Sequence, residues 1–159
     1  MDDIKRKIAT NVYNSIVSHL QGKGYALERE DDNLTAYFQV ETRVLPITLA
    51  VTVNADKQSL MLIATSDITF PKDKLADAAI ATCVTNCQLV DGGFEFDYAT
   101  GKLVFRVSSS FKGCVISTDV FDYLFRRAYN ASLTYCTELA KLAKGEIDLG
   151  AYVYYTEEL

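Results

Sequence analysis

Between Leu34 and Ala64 the apolar residues of this chain recur at every second position, and that spacing restricts the fold more than any other feature. Leu34, Ala36, Phe38 and Val40 alternate with Thr35, Tyr37 and Gln39, and Ile47, Leu49, Val51 and Val53 alternate with Thr48, Ala50 and Thr52. Leu60, Leu62 and Ala64 continue the pattern. Successive side chains of a strand point to opposite faces, so each run has one apolar face that needs a core. Polar turns such as Asn54-Ala55-Asp56-Lys57 join the runs, which describes antiparallel strands buried on one side. A further short strand fits around Ala26 to Arg29.

On both sides of this region the period changes to that of a helix. Over residues 3–21, Ile4, Ile8, Val12, Tyr13, Ile16 and Leu20 recur at three- and four-residue spacing. Asp2 and Asp3 suit the N-terminus of that helix, and Gln21-Gly22-Lys23-Gly24 ends it. Pro71 fixes the entry to a second helix, roughly Asp73 to Leu89. There Leu75, Ala79, Ile80, Cys83, Val84 and Cys87 share one face, with Asp77, Thr85 and Gln88 opposite. The expected buried face is the first of these.

Asp91-Gly92-Gly93 breaks that helix, and a hairpin follows in which Phe94, Phe96, Tyr98, Leu103, Phe105 and Val107 face one way. The register expected from this pattern pairs Phe96 with Phe105 and sets Glu95 opposite Arg106. Ser108 to Gly113 then reads as a polar loop. A third helix begins at a Ser117 or Thr118 cap and stops at Gly145. Phe121, Leu124, Phe125, Ala128, Tyr135, Leu139 and Leu142 form its inner stripe. At about 1.5 Å per residue it is a rod of about 40 Å, long enough to cross a whole sheet. The predicted fold is therefore α+β, an antiparallel sheet of about five strands with helices packed on it, in the order α-β-β-β-α-β-β-α. Residues 1–145 make one domain. Residues 146–159 form a C-terminal tail too rich in tyrosine to hang free, docked on the body or on another subunit as helix or strand.

Length and charge narrow the function. A chain of 159 residues with 49% hydrophobic and 23% charged residues fits a single globular domain. A net charge of -5 argues against nucleic acid as a partner, because phosphate binding needs clustered Lys and Arg. No apolar stretch reaches the roughly 18 residues that a membrane-spanning helix needs. The start, Met1-Asp2-Asp3-Ile4-Lys5, has no apolar signal core, so the expected location is cytoplasmic. In that compartment Cys83, Cys87, Cys114 and Cys136 are expected to be free thiols.

Order and motif together resemble a known family. Asn86 near the end of the middle helix, then Gly93-Phe94-Glu95-Phe96-Asp97, then Gly101-Lys102-Leu103-Val104-Phe105-Arg106, resembles the bacterial YbjN-like family, most clearly from Leu45 to Gly145. The resemblance implies the fold of type III secretion chaperones, a curved antiparallel sheet with helices against one face. It also implies a small acidic scaffold, often dimeric, that binds polypeptides. It carries no catalytic residue over to this chain.

The chemistry-bearing residues each have a structural explanation. Cys83 and Cys87, at i and i+4, lack the second pair that a zinc site brings, and read as small core residues. His19, the single histidine, falls on an apolar arc with no acid near it in sequence. Glu95 and Asp97 share one side of a strand and read as a solvent-facing pair balanced by Arg106. Gly92-Gly93 follows a helix and lacks a Lys-Ser/Thr, so it serves backbone geometry rather than phosphate. Asn86 is placed to hydrogen-bond that segment. No catalytic, cofactor-binding or metal-binding site is predicted. Tyrosine joins apolar area to a water-tolerant hydroxyl, which suits interfaces. Ten occur here without any Trp, and Tyr123, Tyr129, Tyr152, Tyr154 and Tyr155 mark the expected partner or dimer surface. The leading expectation is a non-enzymatic chaperone-like or regulatory protein, homodimeric, with a polypeptide partner. The alternative is a small-molecule binding module with a pocket between sheet and helices.

Overall fold

The computed structural model describes residues 3–42 and 45–159. Among these, six strands form one antiparallel sheet and four α-helices accompany it. Helix α1 (Asp3–Gly22) leads to β1 (Glu28–Glu30), a 3-10 turn at Asp31–Asn33, then β2 (Thr35–Val40), β3 (Ile47–Asn54), β4 (Ser59–Thr69) and a second 3-10 turn at Lys72–Lys74. Helix α2 (Leu75–Cys87), strands β5 (Gly93–Asp97) and β6 (Lys102–Ser110), the long α3 (Thr118–Lys144) and α4 (Leu149–Glu157) complete the chain. The sheet order is β1-β2-β3-β4-β6-β5, so β1 and β5 are its two edges. The class is the expected one, with one more strand than the five foreseen. Asp2, assigned to the start of α1, lies outside the described residues.

The alternation in the sequence translates directly into burial. Ala36, Phe38, Leu49, Val51, Leu60, Leu62, Leu103 and Phe105 are all buried in one cluster with Tyr13, Ile16 and Leu20 of α1 and Phe121, Leu124 and Leu139 of α3. Register aligns these residues into rows, one of which runs Phe38–Leu49–Ala64–Phe105–Phe94 across five strands. α3 is held at both ends as its sequence requires. The Ser117 hydroxyl accepts from the Val120 N–H, and Gly145 closes the helix at φ +72°. Such a cap typically contributes about 1 kcal/mol. The first turns of α1 depart from expectation: Ile4 and Ile8 are exposed, and the buried stripe starts at Ala9.

Three further readings are corrected. Helix α2 buries the face opposite to the one expected: Ala78, Ala81, Thr82 and Thr85 face the core, while Ala79, Ile80, Cys83 and Cys87 are exposed. Threonine can enter the core here because each hydroxyl bonds a carbonyl one turn back, Thr82 to Ala78 (2.7 Å) and Thr85 to Ala81 (2.8 Å). The hairpin register pairs Phe94, not Phe96, with Phe105, and Glu95 with Val104. A two-residue shift leaves every side chain on its expected face, so burial alone could not select between these registers. The turn does. Asp97 accepts from the Ala99 N–H (2.9 Å) and the Thr100 hydroxyl (2.7 Å), which lowers its carboxyl below the usual range, chiefly through Thr100. Finally, Ser108 to Ser110 belong to β6, paired with Met61 to Ser59, rather than to a loop.

Gly101 ends that turn at φ +73°, and a Cβ there would stand 2.3 Å from the Phe70 carbonyl oxygen. Phe70 in turn donates its N–H to the Gly101 carbonyl (2.9 Å), so the two backbones touch. Gly145 has the same conformation with nothing within 4 Å. Gly145→Ala should therefore cost only the left-handed penalty of about 1 kcal/mol, whereas Gly101→Ala should cost at least about 3 kcal/mol. Urea unfolding of the two variants checks this, and equal losses would contradict the close approach.

Candidate functional site

Burial sorts the five singled-out tyrosines into different roles. Tyr152 is fully buried and its hydroxyl meets that of Thr85 at 2.5 Å, so α4 is pinned onto α2 and cannot present this side chain to a partner. Burial pushes the Tyr152 phenol well above its ordinary range, with the Thr85 hydrogen bond opposing. Tyr155, half-buried, donates to the Thr134 carbonyl of α3 (2.6 Å), and Tyr129 is half-buried and stacked on Phe125. Tyr123 is partly exposed and donates to the Asp91 carboxylate. Tyr154 alone of the five is largely exposed, at 65%. Most of the tyrosine-rich tail thus packs inward, as a helix.

Apolar surface lies elsewhere. Ala76, Ile80, Cys83 and Cys87 fall on the outer side of α2 at spacings of four, three and four, the rhythm of a helix seam that packs on another helix. Beside them β5 presents the half-buried Phe96, with the exposed Tyr98 just beyond it. Together with Ala79, Thr82, Cys83, Asn86 and Cys87 these line an open groove of about 620 Å³. Asn86 shapes its end. Its side-chain amide donates to the Phe94 carbonyl (2.9 Å) and accepts from the Phe94 N–H (2.8 Å), filling the outer edge of β5 as a neighbouring strand would. Gly93 permits that approach, since a Cβ there would meet Asn86 at 3.3 Å. Asn86 bonds the glycine-flanked segment as expected, at Phe94 rather than at the glycines.

The second surface is the outer face of the sheet. Among the described residues the buried side chains of the helices cluster with the other face, and the row Tyr37–Ala50–Ile63–Arg106 and the flanking Met61 and Val104 are not fully covered. Its apolar side chains are half-buried. Arg106 pairs with Glu95 at 2.8 Å, diagonally across the strands, while Asp97 serves its turn instead of sharing that arginine.

Several of the remaining chemistry-bearing groups have partners within the fold. His19 does meet an acid, 103 positions away: its Nε2 lies 2.8 Å from Asp122 Oδ1, which also accepts from Lys23 at 2.7 Å. Burial works against the Asp122 carboxylate, but Lys23 and His19 outweigh it and hold its pKa below the usual value. One carboxylate oxygen shared by His19 and Lys23 ties α1 and the residue just past its end to α3. The four cysteines are free, with Cys83, Cys87 and Cys114 exposed and Cys136 buried beside Ser66. The expectation that Cys83 and Cys87 are core residues is thereby corrected. Among the described residues no three His, Cys, Asp or Glu side chains gather as a metal site. Between sheet and α3, around Ser66, Ser132 and Cys136, the cavity is about 10 Å³, no more than one water's worth of space.

No family model matches this sequence, and no curated protein is significantly similar to it. The solved structures reveal the class: the chain has the YbjN-like fold that type III secretion chaperones also adopt, at a distant level of similarity. YbjN, a candidate transcription regulator from E. coli, superposes with a TM-score of 0.59 at 11% identity, covering 84% of this chain and 91% of its own. The ExsC–ExsE complex gives 0.54 at 14% identity, covering 86% of this chain and 96% of the other. The HopA1–SchA chaperone–effector complex gives 0.54 at 13%, covering 76% and 91%. No helix among the described residues is long and apolar enough to cross a membrane.

The shared carboxylate supplies a pH test. A carboxyl with a lowered folded pKa adds stability above its unfolded pKa, near 4, and loses it as pH falls through the folded value. Asp122→Asn should therefore be less stable than the parent at pH 7, with the gap closing below about pH 4. Thermal melts across pH 3–7 measure this, and a gap independent of pH would contradict the ion-pair account.

Proposed function

We propose that this protein is a non-enzymatic, chaperone-like binding protein that acts in the cytoplasm, holding a polypeptide partner on its sheet as a homodimer. The observation that carries the reading is the bare outer face of the sheet, with its row from Tyr37 through Ile63 and the adjoining Met61 and Val104. Apolar side chains on an uncovered sheet gain by excluding water with a second chain, and the threonines around them supply hydroxyls to its polar groups. Chaperone–effector complexes among the structures of this fold support the same reading. So does the net charge of -5, which disfavours nucleic acid.

The second copy is assigned to α2. Its outward 4-3-4 seam, with Phe96 and Tyr98 alongside, is apolar surface that two copies related by a two-fold axis can cover mutually. Of the tyrosines expected to mark the dimer surface, Tyr123 and Tyr154 stay exposed and Tyr152 is buried.

Two measurements test the two surfaces separately. Affinity capture from a native bacterial lysate should retain a specific polypeptide with the parent protein and lose it with Ile63→Glu/Val104→Glu, whose circular dichroism stays unchanged. Equal capture by both proteins would sink the sheet assignment. In light scattering the parent should be a dimer and Ile80→Asp a monomer. Thiol labelling offers a control within the same molecule. Cys83 should become slower to react as protein concentration rises, while the exposed Cys114 keeps a constant rate. A monomeric parent, or parallel behaviour of the two thiols, would remove α2 from the interface.

A further inference from the structure

The two edges of the sheet are not equivalent, and the difference defines what kind of segment the protein takes. At β5 the backbone groups of Phe94 are already filled by Asn86, and α2 packs alongside. At the opposite edge β1 is the outermost strand, paired with β2 alone. Strand β1 reads Glu28-Arg29-Glu30, with all three residues exposed. Register fixes where they point: Glu28 lies opposite Tyr37 and Glu30 opposite Thr35, so both carboxylates stand on the outer face of the sheet. Arg29 turns to the other side, where its guanidinium sits 5.7 Å from the Tyr13 ring centroid and 2.9 Å from Asp31. Its charge is spent there. Glu30 accepts from Asn33 Nδ2 at 3.1 Å and interacts with the Tyr37 hydroxyl, both neutral groups, and among the described residues neither Glu28 nor Glu30 has a salt-bridge partner. Next to this edge a concavity of about 440 Å³ opens on the outer face, lined by Leu27, Glu28, Tyr37, Gln39 and Thr48 among others.

We propose that β1 is the docking edge for an extended segment with cationic residues at alternate positions, and that Glu28 and Glu30 are the residues that select it. The proposal rests on the polypeptide-binding reading above and names the chemistry of the partner. A strand added at β1 lies about 4.8 Å away, and its residues i and i+2 fall directly opposite Glu28 and Glu30 at roughly 5 Å between Cβ atoms. Two Lys or Arg at that spacing pair with both carboxylates. The residues flanking them on the same face extend toward the Tyr37–Leu27 concavity. A segment carrying acids at those positions meets like charges opposite one another, and the charge pattern thereby fixes both partner and register. Three residues of charged edge are too short and too polar to recruit a strand by backbone bonding alone, which protects against self-association when no such segment is present.

The test uses the full chain and two synthetic eight-residue peptides, one alternating Lys and Thr, the other Glu and Thr, with amide shifts followed by NMR. The Lys–Thr peptide should shift the amides of Glu28 to Glu30 and bind at least about fivefold tighter than the Glu–Thr peptide at low salt, given roughly severalfold for each exposed pair. The preference should fall toward unity near 1 M salt, where screening reaches about 3 Å. Glu28→Lys/Glu30→Lys, two surface changes with no packing role, should reverse it. Equal affinities in the parent, or a preference unmoved by the reversal, would overturn the selection. Shifts confined to the outer-face row or to α2 would overturn the docking edge and leave the polypeptide reading intact. Shifts scattered over all acidic surfaces would mark a diffuse charge effect and overturn it as well. Absence of binding by both peptides would overturn this edge, while the capture comparison judges the broader reading separately.

Discussion

Phe38, Leu49, Ala64, Phe105 and Phe94 stand in one row across five neighbouring strands, and the remaining architecture follows from covering that row. A sheet needs apolar cover on its greasy face, and α3, with nine buried residues along its length, supplies most of it here. Small Ala64 at the middle of the row and Ala128 and Ala131 on the helix allow a close approach. Once the helices are committed to this side, the described residues leave the other face without a layer of its own. The protein is therefore asymmetric by construction, a filled core on one side and an open surface on the other.

The proposed polypeptide-holding role rests on that asymmetry, because the open space lies outside the core. The interior near Ser66 and Cys136 is closed to about 10 Å³, and the larger concavities lie on the sheet's outer face and beside α2. Groups that elsewhere perform chemistry are used here as ties. His19 and Lys23 fasten α1 to α3 through Asp122, Asn86 finishes a strand edge, and Asp97 shapes a turn. Tyr152 and Thr85 lock α4 to α2.

Much of this was legible in the sequence, and the failures have identifiable physical causes. Period-two alternation located β2, β3 and β4, and caps located α3 to within one residue at its start and at Gly145 at its end, because both signals act locally. The inverted face of α2 was hidden because hydropathy ranks cysteine and isoleucine above threonine. It does not register that Thr82 and Thr85 satisfy their hydroxyls within the helix, or that Thr85 finds Tyr152 some 67 positions later. The hairpin slipped by two because a shift of two preserves both faces. The Glu95–Arg106 ion pair survives as a diagonal contact. His19 seemed isolated because its partner lies on another helix. As for the candidate surface, tyrosine content pointed to the tail, yet an apolar residue is informative about binding only when the fold leaves it uncovered. Tyr152 is covered, and Ile80 and Tyr98 are not.

The central claim is that the open sheet face, with its β1 edge, is where another polypeptide sits. Hydrogen–deuterium exchange on the protein saturated with its captured partner tests it most directly, because exchange reports backbone and covering together. The account predicts slowed exchange in Glu28–Glu30 and Thr35–Val40, with α3 unchanged. Protection confined to α3 and α4, with β1 and β2 exchanging as in the free protein, would contradict it.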